Sequence, residues 1–342
     1  MRLGVLTGGG DCPGLNAVIR AVVRRGVLAH GIEFVGFQDG WLGVLQDATQ
    51  PLGIAETTGI LHRGGTILGS SGTNALRVEG GRASVAATLE RHGLAGLVVI
   101  GGEGTLKCAA ELADDGLRIV GVPKTIDNDL GGTDVTVGFH TAVQVATDAI
   151  DRLHSTAESH DRVMLVEVMG RHAGWIAVYA GMAGGADAIL IPEHPFDVDE
   201  ISRHLRHRHL SRSSFSIVVV AECALPVDGT VELPAAPLDE NGFPRLGGLA
   251  IHLAPEIEAR TGFQTRVTIL GHVQRGGSPV AFDRVLGTRF GVAAADLAAA
   301  GGWGRMVARK AQDVRDVPLA AAVAERNLVS LDLYREAEVF FG

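Results

Sequence analysis

"LAGLVVIGGEGTLKCAAELADDG", Leu94 to Gly116, sets an apolar run against an amphipathic one with a glycine-rich joint between them. The run before the joint reads as a buried strand, and the stretch after it as a helix ending at Gly116. The joint holds Gly101, Gly102, Glu103, Gly104 and Thr105. That is more backbone freedom and less packing than an ordinary strand-to-helix turn needs. Bare main chain at a helix N-terminus can receive a phosphate. Glu103 is a hard oxygen ligand suited to Mg²⁺ carried by a nucleotide, and Thr105 could donate to phosphate or cap the helix.

The same alternation repeats outward. "RLGVLTGG" is a strand and "LNAVIRAVVRRGVLAHG" a helix closed by Gly31; "IEFVGFQDG" is a further strand. "RASVAATLERHG" is helical, "LRIVGVPKTIDND" a strand and loop, and "TAVQVATDAIDRLHSTAESH" a long helix. "RVMLVEVMG", "DAILIPE" and "FSIVVVAEC" are strands, with "VDEISRHLRHRHL" a helix among them. "TRVTILGHVQRGG" is a strand and loop, and "AFDRVLGTRFGVAAADLAAAGG" a helix. Such alternation predicts an α/β fold with largely parallel sheets, in which ligands bind beyond the carboxyl ends of strands. Residues 225–248, rich in Pro, Gly and acid, read as a surface insertion or short hairpin.

The chain is 342 residues long with 46% hydrophobic and 20% charged residues, enough for two domains with substantial cores. Its net charge of -9 argues against broad nucleic-acid or anionic-membrane binding. Cys12, Cys108 and Cys223 form neither a disulfide framework nor a zinc spacing, and "MRLGVLTGGG" carries no signal-peptide apolar core, so a cytoplasmic setting is expected. "WIAVYAGMAGGADAILIP" is broken by Gly184, Gly185 and Asp187 and ended by Pro192, which predicts helix then strand rather than a membrane span.

Three further clusters follow apolar runs. "TGGGDCPGLN", Thr7 to Asn16, offers a second glycine turn before a helix; Asp11 and Pro13 also suit a plain helix start. "PKTIDNDL", Pro123 to Leu130, places Lys124, Thr125, Asp127 and Asp129 together. A carboxylate there could act as general base, while Lys124 and Thr125 could meet phosphoryl oxygens. Cations gather at other strand ends: Arg171 and His172 in "VMGRHAGW", His272 and Arg275 in "ILGHVQRGG", with Arg162 and Arg266 on the adjoining strands. Guanidinium groups in that setting suit a sugar phosphate, and Glu222 after "FSIVVVA" could bind hydroxyls. His204, His207 and His209 could ligate a metal at their spacing, but a solvated basic helix face is the simpler expectation.

Together these strings resemble the 6-phosphofructokinase family of glycolysis. "GGGDCPGLNAVIR", "RGGTILGS", "GGEGT", "PKTIDND", "EVMGRHAGW" and "LGHVQRGGSPVAFDR" occur in the family's order along nearly the whole chain. "GGEGT" alone would also fit NAD kinases and lipid kinases; the other strings decide against those.

The resemblance implies two Rossmann-like α/β domains with mainly parallel sheets and an active site in the cleft between them. Residues 1–138 with 274–324 would form the nucleotide-binding domain, and 139–273 with 325–342 the fructose 6-phosphate-binding domain. It implies Mg²⁺-assisted transfer from ATP to fructose 6-phosphate, giving fructose 1,6-bisphosphate and ADP. By resemblance, Gly10 and Gly101, Gly102, Glu103, Gly104 and Thr105 hold ATP phosphates, Glu103 on the Mg²⁺ side where the family has Asp. Asp127 matches the general base and Thr125 a residue contacting the transferred phosphoryl group. Asp129, Met169, Gly170, Arg171, Glu222, His272 and Arg275 match the sugar-phosphate site. Arg162 and Arg266 match arginines reaching in from a neighbouring subunit of a homotetramer with shared sites.

Departures from the family pattern bear on the donor. Gly72 stands where the family commonly has Arg, and Arg77 matches another nucleotide-side arginine. Lys124 replaces Gly and is typical of the pyrophosphate-using branch, which pairs it with Asp where this chain has Gly104. An Asp there would crowd the α-phosphate region of a nucleotide, so the pattern favours ATP, with pyrophosphate the alternative and a catalytically weakened regulatory subunit a third reading. Arg20, Arg24 and Arg25 match part of the family's effector site, while His154 replaces a basic residue of the well-regulated bacterial form.

Overall fold

The computed structural model describes residues 1–211, 215–231 and 247–341. It begins with β1 (Arg2–Gly8), α1 (Leu15–His30), β2 (Glu33–Phe37), α2 (Trp41–Gln46), β3 (Thr49–Pro51) and α3 (Gly81–Arg91). Next come β4 (Gly96–Gly101), α4 (Glu103–Asp114), β5 (Ile119–Pro123), α5 (Phe139–Ser159), β6 (Val163–Val168) and α6 (Trp175–Ala183). Then follow β7 (Ala188–Leu190), α7 (Val198–Ser211), β8 (Ser216–Ala221), α8 (Leu249–Thr261) and β9 (Thr265–Ile269). The chain closes with α9 (Ala281–Ala299), β10 (Arg305–Lys310), β11 (Asp313–Pro318), α10 (Leu319–Ala324) and α11 (Leu331–Glu338).

Two compact units result, Met1–Thr141 with Arg275–Asn327 and Ala142–Gln274 with Leu328–Gly342. The first unit carries a seven-stranded sheet of order β11-β10-β5-β4-β1-β2-β3, parallel except for the edge strands β3 and β11. Every residue of β4 and β5 is buried, as continuous Val- and Ile-rich strands covered on both faces require. Leu6, Trp41, Val99, Leu106 and Ile119 belong to the core beneath α4. Register fixes what matters for function: Gly8 pairs with Gly101, and Gly101 with Pro123. The segments after β1, β4 and β5 therefore leave one edge of the sheet side by side.

The second unit carries a four-stranded, all-parallel sheet of order β7-β8-β6-β9. β6 and β8 are wholly buried. Val168 pairs with Ala221 and Glu167 with Ile269, so the segments after β6, β8 and β9 also emerge together. "WIAVYAGMAGGADAILIP" is α6 followed by β7, and among the described residues no helix is long and apolar enough to cross a membrane.

Several elements have no clear sequence signal. The β2–β3 and β10–β11 pairs rest on short edge strands, and α8 carries Pro255 inside it. Of the proposed 225–248 insertion, residues 232–246 lie outside the described residues; its start is bridged to the rest by Phe196 and Pro226. The histidine face of α7 is less solvated than expected. His207 is exposed, but His209 stacks on Phe263 with ring centroids 3.9 Å apart, and burial pushes its pKa down. His204 Nε2 is also buried.

Asp283, in the first turn of α9, is fully buried and holds the start of α5. It accepts from Gly138 N at 3.0 Å, Thr141 N at 2.7 Å and Thr141 Oγ1 at 2.6 Å. Asp283→Ala leaves these buried donors unsatisfied, so urea unfolding is expected to show a loss of about 3 kcal/mol. A loss below about 1 kcal/mol would mean that water replaces the carboxylate.

Candidate active site

In the first unit, the loop after β1 is pinned from both sides. Gly9 N donates to Ser71 O at 2.9 Å, and Ser70 Oγ donates to Gly9 O. Asn16 reaches back from α1, donating to the carbonyls of Arg63 and Gly64 and accepting from Ile67 N at 2.9 Å. The "RGGTILGSS" segment thus lies along the first glycine turn. The cap of α1 is Gly14, not Asp11, which is exposed; Pro13 is buried.

Two cations and a hydroxyl meet at this loop. Lys124, 2% exposed, donates from Nζ to Gly10 O at 2.5 Å. Arg275 donates to Asp11 O at 3.3 Å, and its Nη1 lies 2.7 Å from where a Cβ on Gly10 would stand. On Gly9, at φ 79°, a Cβ would stand 3.5 Å from Thr105 Oγ1 and 3.6 Å from Lys124 Nζ. Burial, and then the charge of Arg275, push the Lys124 pKa down; the coulombic contributions of Cys12, Asp11 and Asp127 oppose that shift. A buried ammonium beside a guanidinium and bare main chain is an anion cradle in the making.

The "GGEGT" turn divides its labour differently from the sequence expectation. α4 starts at Glu103 with Gly102 as its cap residue, so Thr105 lies inside the first turn and does not cap the helix. A Cβ on Gly101 would stand 2.5 Å from Thr105 Cβ, and one on Gly8 2.7 Å from Thr105 Oγ1, so these paired glycines make room for the threonine. Gly104 is different: a Cβ there would meet nothing within 4 Å. The same is true of exposed Gly72. Arg77 closes a short 3-10 turn and is exposed.

The 124–137 loop is braced by a residue that the motif reading passed over. Asn128 sits at φ 54° and accepts from Thr136 N at 2.9 Å. Thr136 Oγ1 donates to Thr125 O at 2.6 Å, and Thr125 Oγ1 accepts from Asp127 N at 3.2 Å. Tolerance of asparagine for left-handed backbone was the available signal. Asp127 is 9% exposed, and its Oδ1 is buried with no hydrogen-bond partner among the described residues. Asp129 is 6% exposed; burial first, then the charges of Asp127 and Glu103, push its pKa up to about 7. Glu103 pairs with Lys107 at 2.6 Å and with Arg326 at 3.3 Å, the latter a partner that no motif announced.

In the second unit, Glu222 accepts from Gly170 N at 3.3 Å. Fully buried Gln274 accepts from Met169 N at 3.3 Å and donates to Gly271 O at 3.0 Å, tying the "VMGR" and "GHVQ" segments together. Glu193 accepts from Gly174 N and Val329 N and so anchors the loop that carries Arg171. Arg171 and His272 are exposed. Arg162 donates to Gln264 at 3.2 Å, while exposed Arg266 donates to the Thr265 carbonyl. His154 is hydrogen-bonded to Gly184 O at 2.6 Å.

The family pattern of phosphofructokinases matches residues 2–298. The chain belongs to the phosphofructokinase family. Full-length relatives carry two donor names. A pyrophosphate–fructose 6-phosphate 1-phosphotransferase of Amycolatopsis mediterranei is 56% identical over 342 residues, covering 100% of both chains. An ATP-dependent 6-phosphofructokinase of Mycobacterium tuberculosis is 53% identical over 343 residues, again covering 100% of both. The crystal structure of Pichia pastoris phosphofructokinase in the T-state superposes with a TM-score of 0.83 at 31% identity, covering 99% of this chain and 36% of that one. The parallel α/β units described above are the phosphofructokinase architecture.

The buried Asp129 carboxyl carries a pH signature of its own. Its folded pKa is raised above that of an unfolded carboxylate, so the folded state holds the proton more tightly. Stability should therefore fall as pH rises from about 4 through about 7. Asp129→Asn removes this penalty. In chelator-treated protein its stability relative to wild type is expected to improve by about 1–3 kcal/mol between pH 5 and pH 8. Thermal unfolding at the two pH values checks this, and a pH-independent difference would contradict it.

Proposed function

We propose that this phosphofructokinase transfers the γ-phosphoryl group of ATP to the 1-hydroxyl of fructose 6-phosphate. The observation that carries the reading is the meeting of Lys124, Arg275 and Thr105 around bare Gly9 and Gly10, beside an aspartate with an unclaimed oxygen. Cations and main chain supply what donor phosphates need, and an unpartnered buried carboxylate oxygen is suited to accept a hydroxyl proton. Open space at Gly104 supports a nucleotide over a bare pyrophosphate.

In the proposed step, Asp127 takes the proton from the sugar 1-hydroxyl. The resulting alkoxide oxygen bonds to the γ-phosphorus, the bond from phosphorus to the β–γ bridging oxygen breaks, and ADP leaves with that electron pair. Lys124, Thr125 and the Gly10 backbone hold the migrating charge in line, so catalysis rests on positioning and electrostatics. Gly101, Gly102, Gly104, Thr105 and Arg77 lie on the nucleotide side. Asp129, Met169, Gly170, Arg171, Glu222, His272 and Arg275 are assigned to the sugar phosphate. Arg162 and Arg266 are assigned to a neighbouring subunit's sugar phosphate in a homotetramer.

The hard carboxylate oxygens of Glu103 fit Mg²⁺, although among the described residues no three His, Cys, Asp or Glu side chains form a metal cage. An ion that keeps its waters and arrives on phosphate needs one or two protein oxygens, and Glu103 would provide one. When bound, Mg²⁺ would neutralise charge on the donor phosphates.

Pyrophosphate is the second reading, favoured by the buried Lys124 ammonium at Gly10. Assaying purified protein with fructose 6-phosphate, Mg²⁺ and each donor separately decides between them. Turnover with ATP is expected; robust turnover with pyrophosphate alone overturns the ATP assignment. Asp127→Ala is expected to lower kcat by about two to four decades, while calorimetric affinity for fructose 6-phosphate stays within a few-fold. A kcat near wild type would remove Asp127 from the role of base.

A further inference from the structure

We infer that Asn327 is a positioning residue for the carboxylate loop of the first unit, acting through Asn128 on Asp127. The inference rests on the reading of Asp127 as general base made above. Asn327 is the half-buried last residue of the first unit, outside every string that named the family. It stands 199 positions along the chain from the residue it holds.

Asn128 is the residue that needs holding. It lies between Asp127 and Asp129, and its φ of 54° is left-handed. Residues with a Cβ stay in that region only where their surroundings enforce it. The side chain of Asn128 is braced from residues further along its own loop: Oδ1 accepts from Thr136 N at 2.9 Å and Nδ2 donates to Asp134 O at 3.3 Å. Its main-chain carbonyl is held from elsewhere, accepting from Asn327 Nδ2 at 2.9 Å. The next carbonyl, Asp129 O, accepts from Asn327 N at 3.0 Å. One asparagine therefore grips two consecutive carbonyls.

The segment that brings it there is built for close approach. It leaves α10 with Glu325 extended, and Arg326 forms an antiparallel bridge with Leu130. A Cβ on Gly131 would stand 2.5 Å from Glu325 O and 3.0 Å from Ala322 O, so a glycine is needed beneath the segment. Because a peptide unit is planar, a held carbonyl fixes the whole unit that follows its residue. Thr125 Oγ1 accepts from Asp127 N on one side, and Asn327 fixes the Asn128–Asp129 peptide on the other. The backbone of Asp127 is thus set from both directions. Proton removal by Asp127 depends on that setting, since small displacements of a reacting group cost rate steeply.

The two bonds of Asn327 can be separated by mutation. Asn327→Ala keeps the main-chain bond to Asp129 and drops only the side-chain bond to Asn128, next to Asp127. The test is a double-mutant cycle on Asn327→Ala and Asp127→Ala, with ATP as phosphoryl donor, or with pyrophosphate should that be the donor turned over. Asn327→Ala is expected to lower kcat roughly tenfold. The KM for the phosphoryl donor should stay within about twofold, and calorimetric affinity for fructose 6-phosphate within about threefold. In the Asp127→Ala background it should lower kcat almost no further, because its effect is routed through Asp127. An unchanged kcat in Asn327→Ala would overturn the inference. So would multiplicative losses in the double variant, or losses of substrate affinity as large as the loss in kcat, either of which would give Asn327 a merely structural role. If Asp127→Ala loses its decades of rate while the two losses multiply, the base stands and Asn327 falls; if Asp127→Ala keeps its rate, the base assignment fails and the inference with it. Asn327→Ser keeps a shorter hydrogen-bond donor; should the alanine variant not fold, it carries the same test at about threefold.

Discussion

A lysine ammonium buried against a peptide carbonyl, Lys124 at Gly10, is the contact on which the first unit's site depends. Taking such a charge out of water costs several kcal/mol unless something answers it. A carbonyl dipole answers in part. The main chain can come this close because Gly9 and Gly10 have no side chains, and the loop keeps its shape because Ser70, Ser71 and Asn16 hold it from outside. The result is a cationic cradle whose charge an anionic ligand would complement. Cradles of this type are preorganised: the desolvation is met on folding, before any ligand arrives.

The acid side of the same unit has the opposite imbalance. Asp127, Asp129 and Glu103 lie within one another's fields, and burial raises the cost of charging Asp129. Arg326 and Lys107 relieve Glu103. Cations under a glycine loop and carboxylates beside them are each unfavourable alone. Thr125 and the Asn128 brace fix the loop that carries Lys124, Asp127 and Asp129. The second unit follows another rule: Glu193 and Gln274 spend their polar atoms on main-chain groups that hold the loops bearing Arg171 and His272, and Glu167 does the same for the start of α8.

Much of this was legible in the linear sequence because the signals are local. Glycines after apolar runs marked the strand ends, Gly31 marked the end of α1, and the order of six strings along the chain named the family. Other features were illegible because their partners are distant. Asp283 reads as an ordinary acid in a helix start, yet it holds residues 138 and 141. Glu167 reads as an interruption in an apolar strand, yet it caps a helix that begins 82 positions later, at Leu249. Thr105 looked like a cap and proved to be a wedge, because Gly8 and Gly101 pair in register beneath it.

The sequence by itself determined the alternating α/β layers, the family, and which residue types crowd the strand ends, since hydrophobic period and glycine placement act over a few neighbours. Only the tertiary structure decided how those residues divide their work. Whether a buried lysine faces a carbonyl, whether a glycine serves a ligand or a threonine, and which side chain caps α8 all depend on strand register and through-space charge. Such contacts join residues tens to hundreds of positions apart, and no local pattern encodes them.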